Sequence, residues 1–266
     1  MRVGWIGLGE MGAPMAGRVA AAGHEMIVYD RGGGRAGLRS RGAVMSQSYM
    51  AVAEASDLLC VCVYDDDQVR DILFGQGVLA TMRPGSILGI HTTGSPLLAR
   101  ALHAAAPTGV RVLDAAFSGA PAKARDGRLT LMVGGEESAL EAARAVFETY
   151  ADRIHHVGGP GAGQSMKLLN NILFAGNLQL ARQALRVGEA LGLDPTMVVS
   201  ALQDSSGGSN AMALFSGVIS PDDIFAHVAP YLRKDIATAE AAALDVGIDL
   251  GLLQQVARPG NGAQQA

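Results

Sequence analysis

The sequence predicts an α/β fold in two parts: a half in which strands alternate with helices around a mostly parallel sheet, then an all-helical half. Three observations carry this. Short apolar runs alternate with Ala-rich helical stretches up to about residue 158. The glycine cluster "GGPGAG" then breaks the pattern. After it no run reads as a strand, while three long stretches keep helical character.

Taken in order, "RVGWIG" reads as a strand and "MGAPMAGRVAAAG" as a helix. "EMIVYD", "DLLCVCVY", "SILGIH", "RVLDAAF" and "LTLMVGG" are further strands, separated by helices such as "SPLLARALHAAAP" and "SALEAARAVFETYA". Beyond the break, "QSMKLLNNILFAGNLQLARQALRVGEALGL" is one helix of roughly 45 Å. "DPTMVVSALQDS" starts another, with Asp194 as N-cap and Pro195 in the first position. "APYLRKDIATAEAAALDVG" is the third. The boundary is expected between residues 1–162, a dinucleotide-binding domain, and 163–266, a helical domain for substrate and oligomerisation.

The bulk composition narrows the class. The 266 residues are 49% hydrophobic, enough for a sizeable core. A net charge of -4 argues against a nucleic-acid binder. The two cysteines, Cys60 and Cys62, sit two apart on a strand and share one face, as buried small hydrophobes without further metal ligands nearby. "MRVGWIGLG" lacks the charged and apolar regions of a secretory leader, and no apolar run reaches ~18 residues. The expectation is a soluble cytoplasmic protein with no metal, no membrane and no nucleic-acid partner.

The first strand runs into Gly7-x-Gly9-x-x-Gly12, which opens the first helix. Gly7 suits a tight turn, Gly9 lets a pyrophosphate approach the backbone, and Gly12 lets helix and strand pack closely. The helix N-terminus faces the anion, with Leu8 and Met11 in the same loop. Asp30 follows at the end of the second strand, where an acid binds ribose hydroxyls. A carboxylate repels a 2′-phosphate and favours NAD. Arg31, with Arg35, offers that phosphate a partner, so NADP is the alternative.

In "GAGQSMKLLNN", Lys167 sits on an apolar helix just past the break, with Asn171 at i+4 and Gln164 at i−3 on the same face. Hydride transfer needs a proton partner on the substrate oxygen, and lysine can serve in both directions. A lysine of ordinary pKa, ~10.4, is neutral in about one molecule in 2,500 at pH 7. Such a base therefore needs burial or a neighbouring cation.

These motifs together resemble the β-hydroxyacid dehydrogenases, which include 3-hydroxyisobutyrate dehydrogenase and tartronate semialdehyde reductase. "GLGEMGAPMA" is similar to the family's glycine fingerprint, "DDDQVRDILFGQGVL" to a segment after its third or fourth strand, and "HTTGSP" to a Ser-Thr-x-Ser-Pro turn. "DAAFSGAPAKARDGRLTLMVGG" resembles its substrate loop, "GAGQSMKLLNN" its catalytic helix, and "KDIATA" a segment of its last long helix. The resemblance implies a Rossmann-like dinucleotide-binding domain followed by an all-α C-terminal domain. It implies Lys167 as catalytic acid/base and Ser118 and Gly119 as ligands of a substrate carboxylate. Asn171 would hold the substrate or orient the lysine. Val63, Tyr64 and Thr93 would line the cofactor. Lys234 would reach the nicotinamide end, and is also a candidate for the cation beside Lys167. Asp235 is given a structural role. The partners implied are a small hydroxy acid and further copies of the chain, as a homodimer or homotetramer.

Three departures stand out. Ala120 replaces the second glycine of Ser-Gly-Gly. Lys123 stands where the family usually has glycine, either as a solvated loop lysine or as a charge selecting substrates with a second anionic group. The family also continues with one more helix, whereas this chain ends soon after "GLLQQVARPG". His155 and His156 read as structural residues at a strand edge, and His91 as a neighbour of the nicotinamide edge without a proton role. Two other readings compete: an imine reductase, which generally lacks the lysine, and a non-catalytic dinucleotide-binding protein.

Overall fold

A computed structural model describes residues 1–29, 36–217 and 221–258, and no side chains at 36 and 221–231. The chain forms two compact units, Met1–Lys167 and Leu168–Ala266.

The first unit is built on eight strands: β1 (Arg2–Ile6), β2 (Glu25–Tyr29), β3 (Val44–Ser46), β4 (Leu58–Val61), β5 (Ile87–Ile90), β6 (Arg111–Ser118), β7 (Leu129–Gly134) and β8 (Ala151–Gly158). They form one sheet in the order β3-β2-β1-β4-β5-β6-β7-β8. All pairings are parallel except β6 with β7. The link from Ser118 to Leu129 is too short for a parallel crossover, which needs about a dozen residues or more.

All six strands expected from the sequence form. The other two have physical reasons for being faint. β3 is a three-residue edge strand. β8 closes the opposite edge, and Asp152, Arg153, His155 and His156 leave it exposed and without apolar alternation.

Successive residues face opposite sides of the sheet, and each side has its own core. Trp5, Cys60 and Leu113 join Phe147 and Tyr150 on one side. Ile6, Leu59, Val61 and Leu88 join Leu98 and Leu102 on the other. Cys62 packs against the first core beside Cys60, and burial raises both thiols, Cys62 to about 12. The strand order turns at β1 and β4, where open α/β sheets bind ligands beyond the strands' carboxyl ends.

The helix Ala162–Ala190 begins in the first unit and continues into the second. The second unit adds helices Pro195–Gln203, Asn210–Ala213, Pro221–Asp245 and Leu252–Ala257, and no strand among its described residues. The Asp194 side chain accepts from the N–H groups of Thr196 and Met197, with Pro195 in the first turn. Leu178, Leu185, Val199, Met212 and Phe215 form one core, and Leu168, Ile172, Ala175 and Ile236 another. Among the described residues no helix is long and apolar enough to cross a membrane, and no cluster of metal-ligating side chains occurs.

Candidate active site

The three glycines of the first loop sit in three different surroundings. Gly7 has φ 97°, and a Cβ there would lie 2.0 Å from the Cys62 carbonyl oxygen at the end of β4. A Cβ on Gly12 would lie 2.0 Å from the Gly7 carbonyl oxygen. A Cβ on Gly9 would meet nothing within 4 Å. The protein's own packing therefore does not require glycine at position 9. The helix Gly12–Ala21 starts here, and the Leu8 and Met11 side chains pack against the core below the loop. These residues fit a dinucleotide pyrophosphate. Asp30, Arg31 and Arg35, expected to choose between NAD and NADP, lie outside the described residues.

The ends of β4 and β5 are tied together beside this loop. The Val63 N–H donates to Thr92 Oγ1 at 3.0 Å, and the Ser95 N–H to Asp66 Oδ2 at 2.7 Å. Tyr64 is exposed and Thr93 half-buried, while Thr92 is buried. The threonine that joins the two strand ends is thus Thr92, next to the one singled out from the sequence.

Asp114, in the middle of β6, is buried and was missed in the sequence. Its Oδ1 accepts from the Gly161 N–H at 2.9 Å and its Oδ2 from the Gln164 N–H at 2.8 Å. Burial pushes its carboxyl up, opposed by backbone N–H groups of Gln164, Gly161 and Gly163. The signal was there: a lone acid inside the apolar run "RVLDAAF" must find partners. Gly163 completes the docking, because a Cβ there would lie 2.1 Å from the Asp114 carbonyl oxygen.

Gln164 does not share an open polar face with Lys167, as the spacing suggested. It is buried with both ends of its amide engaged: Oε1 accepts from the Gly94 N–H at 2.9 Å, and Nε2 donates to the Thr92 carbonyl at 2.8 Å. It is a clasp between the helix and the turn after β5. Lys167, three residues on, is half-buried, with Nζ 6.0 Å from the centre of the Phe117 ring on β6. Ser118 and Gly119 follow Phe117 directly. Gly119 has φ 137°, and a Cβ there would lie 2.6 Å from Leu129 Cδ2 and 3.3 Å from Lys123 Cδ. The exposed Lys123 therefore lays its aliphatic stem beside Gly119.

In the second unit, Asn171 is buried and its Nδ2 donates to Asp235 Oδ2. Asn170 Nδ2 donates to Asn171 Oδ1 at 2.9 Å. Lys234 is half-buried next to Asp235 on the helix Pro221–Asp245. His91 lies wholly in the core, where burial holds it down to about 4. The His156 Nε2–H donates to the Gly135 carbonyl at 2.8 Å, a structural bond.

Two family profiles together span nearly the whole chain. Residues 2–158 match the NAD binding domain of 6-phosphogluconate dehydrogenase, and residues 161–266 the NAD-binding region of NADP-dependent 3-hydroxyisobutyrate dehydrogenase. The chain belongs to the β-hydroxyacid dehydrogenase family. It is an NAD(P)-dependent oxidoreductase of the class acting on CH–OH groups. A mitochondrial 3-hydroxyisobutyrate dehydrogenase-like protein of Arabidopsis thaliana is 34% identical, over 91% of this chain and 82% of its own. An NAD-dependent L-serine dehydrogenase of Pseudomonas aeruginosa is 35% identical, over 91% and 85%. The Mycobacterium tuberculosis 3-hydroxyisobutyrate dehydrogenase solved with L-serine superposes with a TM-score of 0.84 at 29% identity, covering 96% of this chain and 91% of that one. Solved imine reductases, at 22% identity, share the fold alone.

Proposed function

We propose that this β-hydroxyacid dehydrogenase oxidises a small β-hydroxy acid of the 3-hydroxyisobutyrate or serine type, with Lys167 as the proton acceptor and, in the reverse direction, the donor. The observation that carries the reading is the position of Lys167 against β6. Its Nζ lies over Phe117, directly before Ser118 and Gly119. The Ser118 hydroxyl and the Gly119 N–H are the groups proposed to hold the substrate carboxylate. Asp114 and Gln164 fix the start of the helix that presents the lysine.

Bound on the Gly7–Gly12 loop and the ends of β4 and β5, an oxidised nicotinamide cofactor supplies the hydride acceptor. The chain's own residues do the rest. Lys167 takes the hydroxyl proton as the carbonyl forms. Ser118 and Gly119 orient the acid, and Val63, Tyr64 and Thr93 border the cofactor. Asn171 acts by holding its helix to Asp235, and Lys234 is proposed for cofactor binding. Dinucleotide binding is assigned to residues 1–162, and substrate enclosure with self-association to 163–266. NAD is favoured over NADP through Asp30.

The test is absorbance at 340 nm with NAD or NADP and a panel of β-hydroxy acids including 3-hydroxyisobutyrate, L-serine and glycerate. Turnover confined to this class supports the reading. Dinucleotide binding with no turnover on any member would replace it with an unusual substrate or a non-catalytic binding role.

A further inference from the structure

We propose that Trp5 is a positioning residue for the dinucleotide, its indole N–H setting the path of the glycine loop. The proposal rests on the reading that the dinucleotide lies on that loop.

Trp5 is fully buried next to the end of β1. A buried indole needs an acceptor for its N–H. Here Nε1 donates to the Gly7 carbonyl at 3.0 Å, two residues further along the same chain. That carbonyl is also the atom against which Gly12 packs. The peptide unit is planar, so holding the oxygen fixes the plane of the Gly7–Leu8 bond. Gly7 sits at φ 97°, and glycine alone does not select one conformation among the many open to it. The indole bond makes that selection before any ligand arrives, and a loop already ordered loses less freedom on binding.

The indole is itself held in place. It stacks on His91 with ring centres 5.7 Å apart and planes 13° apart, and meets Tyr150 edge-on at 6.0 Å. His91 Nδ1 lies 2.7 Å from the Ala115 carbonyl, which can only accept, so the proton is on Nδ1. Nε2 then accepts from the Tyr150 hydroxyl at 3.1 Å. The array runs from the glycine loop to β6, two residues before Phe117. Phenylalanine at position 5 would supply an aromatic ring but no donor.

Trp5 is the only tryptophan in the chain. Growth of a tryptophan auxotroph on β-(3-benzothienyl)alanine therefore changes this site alone, exchanging N–H for sulfur on a similar bicyclic ring. The expected result is a dinucleotide dissociation constant raised about three- to tenfold, the loss of one hydrogen bond. Trp5→Phe is expected to show at least the same rise. A merely structural role would lower the melting temperature and leave the affinity of the folded protein unchanged. Wild-type affinity in the benzothienyl protein overturns the proposal. Gly9→Asp separates the two readings, since a Cβ there meets no protein atom within 4 Å while the added carboxylate lies where phosphate should come. Loss of binding in Gly9→Asp with no effect of the benzothienyl ring removes only the role of Trp5. Unchanged binding in Gly9→Asp removes the loop reading, and the Trp5 proposal with it.

Discussion

Asp114 and Gln164 bind each other across the gap between β6 and the start of the long helix: the Gln164 N–H donates to Asp114 Oδ2 at 2.8 Å, beside the Gly161 N–H on Oδ1 at 2.9 Å. One carboxylate thus caps a helix from a neighbouring strand, satisfying two of the N–H groups that a helix start leaves open. Asp114→Asn keeps the shape but turns one acceptor into a donor facing an N–H. We expect a loss of about 1–3 kcal/mol in urea unfolding. Turnover should also fall, while dinucleotide affinity stays within about twofold.

His91 sets a pH dependence of stability. Its pKa in the fold is about 4, against an ordinary 6.5, because burial disfavours the charged ring. Between those values the unfolded chain binds the proton and the folded one does not. Its contribution is fully present above pH 6.5 and lost as pH falls toward 4, by about 3 kcal/mol. Asp57, held near 2 by Arg2, acts only below its ordinary 3.8. Asp114, raised by burial, acts in the opposite sense. Melting temperatures of wild type and His91→Gln between pH 4.5 and 7.5 isolate the histidine, and the variant should show the flatter curve.

Lys123 is exposed, and its aliphatic stem lies beside Gly119. An exposed charge of this kind is worth about 1 kcal/mol or less. Lys123→Ala should therefore lower kcat/KM for an acid with a second anionic group by up to about fivefold, and leave singly charged acids unaffected. Initial rates on a matched pair of acids decide between selection and a merely solvated lysine.

Asn171 donates to the Asp235 carboxylate inside the helical unit. Asn171→Asp would set two carboxylates against each other. It should destabilise more than Asn171→Ala, which removes the bonds to Asp235 and from Asn170 at about 1–3 kcal/mol together. Thermal unfolding of both variants checks the order.

The glycine spacing, the apolar strand runs and the break at "GGPGAG" each have a local physical cause, so the fold class was legible in the residues. The helix that carries Lys167 was legible for the same reason: the lysine is conspicuous on an apolar segment. Asp114, Thr92 and the clasp made by Gln164 were not, because their partners lie about 30 to 70 residues away in the chain. Spacing along one helix put Gln164 and Asn171 on a common face with Lys167, but it cannot show that Gln164 is used up by the β5 turn or that Asn171 binds Asp235. Nothing in the local spacing marks Trp5, whose indole donates to the Gly7 carbonyl.

Whether Lys167 moves the substrate proton is decided by Lys167→Met. The variant keeps the length of the side chain and removes the amine. We expect kcat to fall about 10²- to 10⁴-fold, the usual contribution of a positioned acid or base, with the dinucleotide dissociation constant within about twofold of wild type. Turnover in Lys167→Met equal to that of wild type would contradict the account.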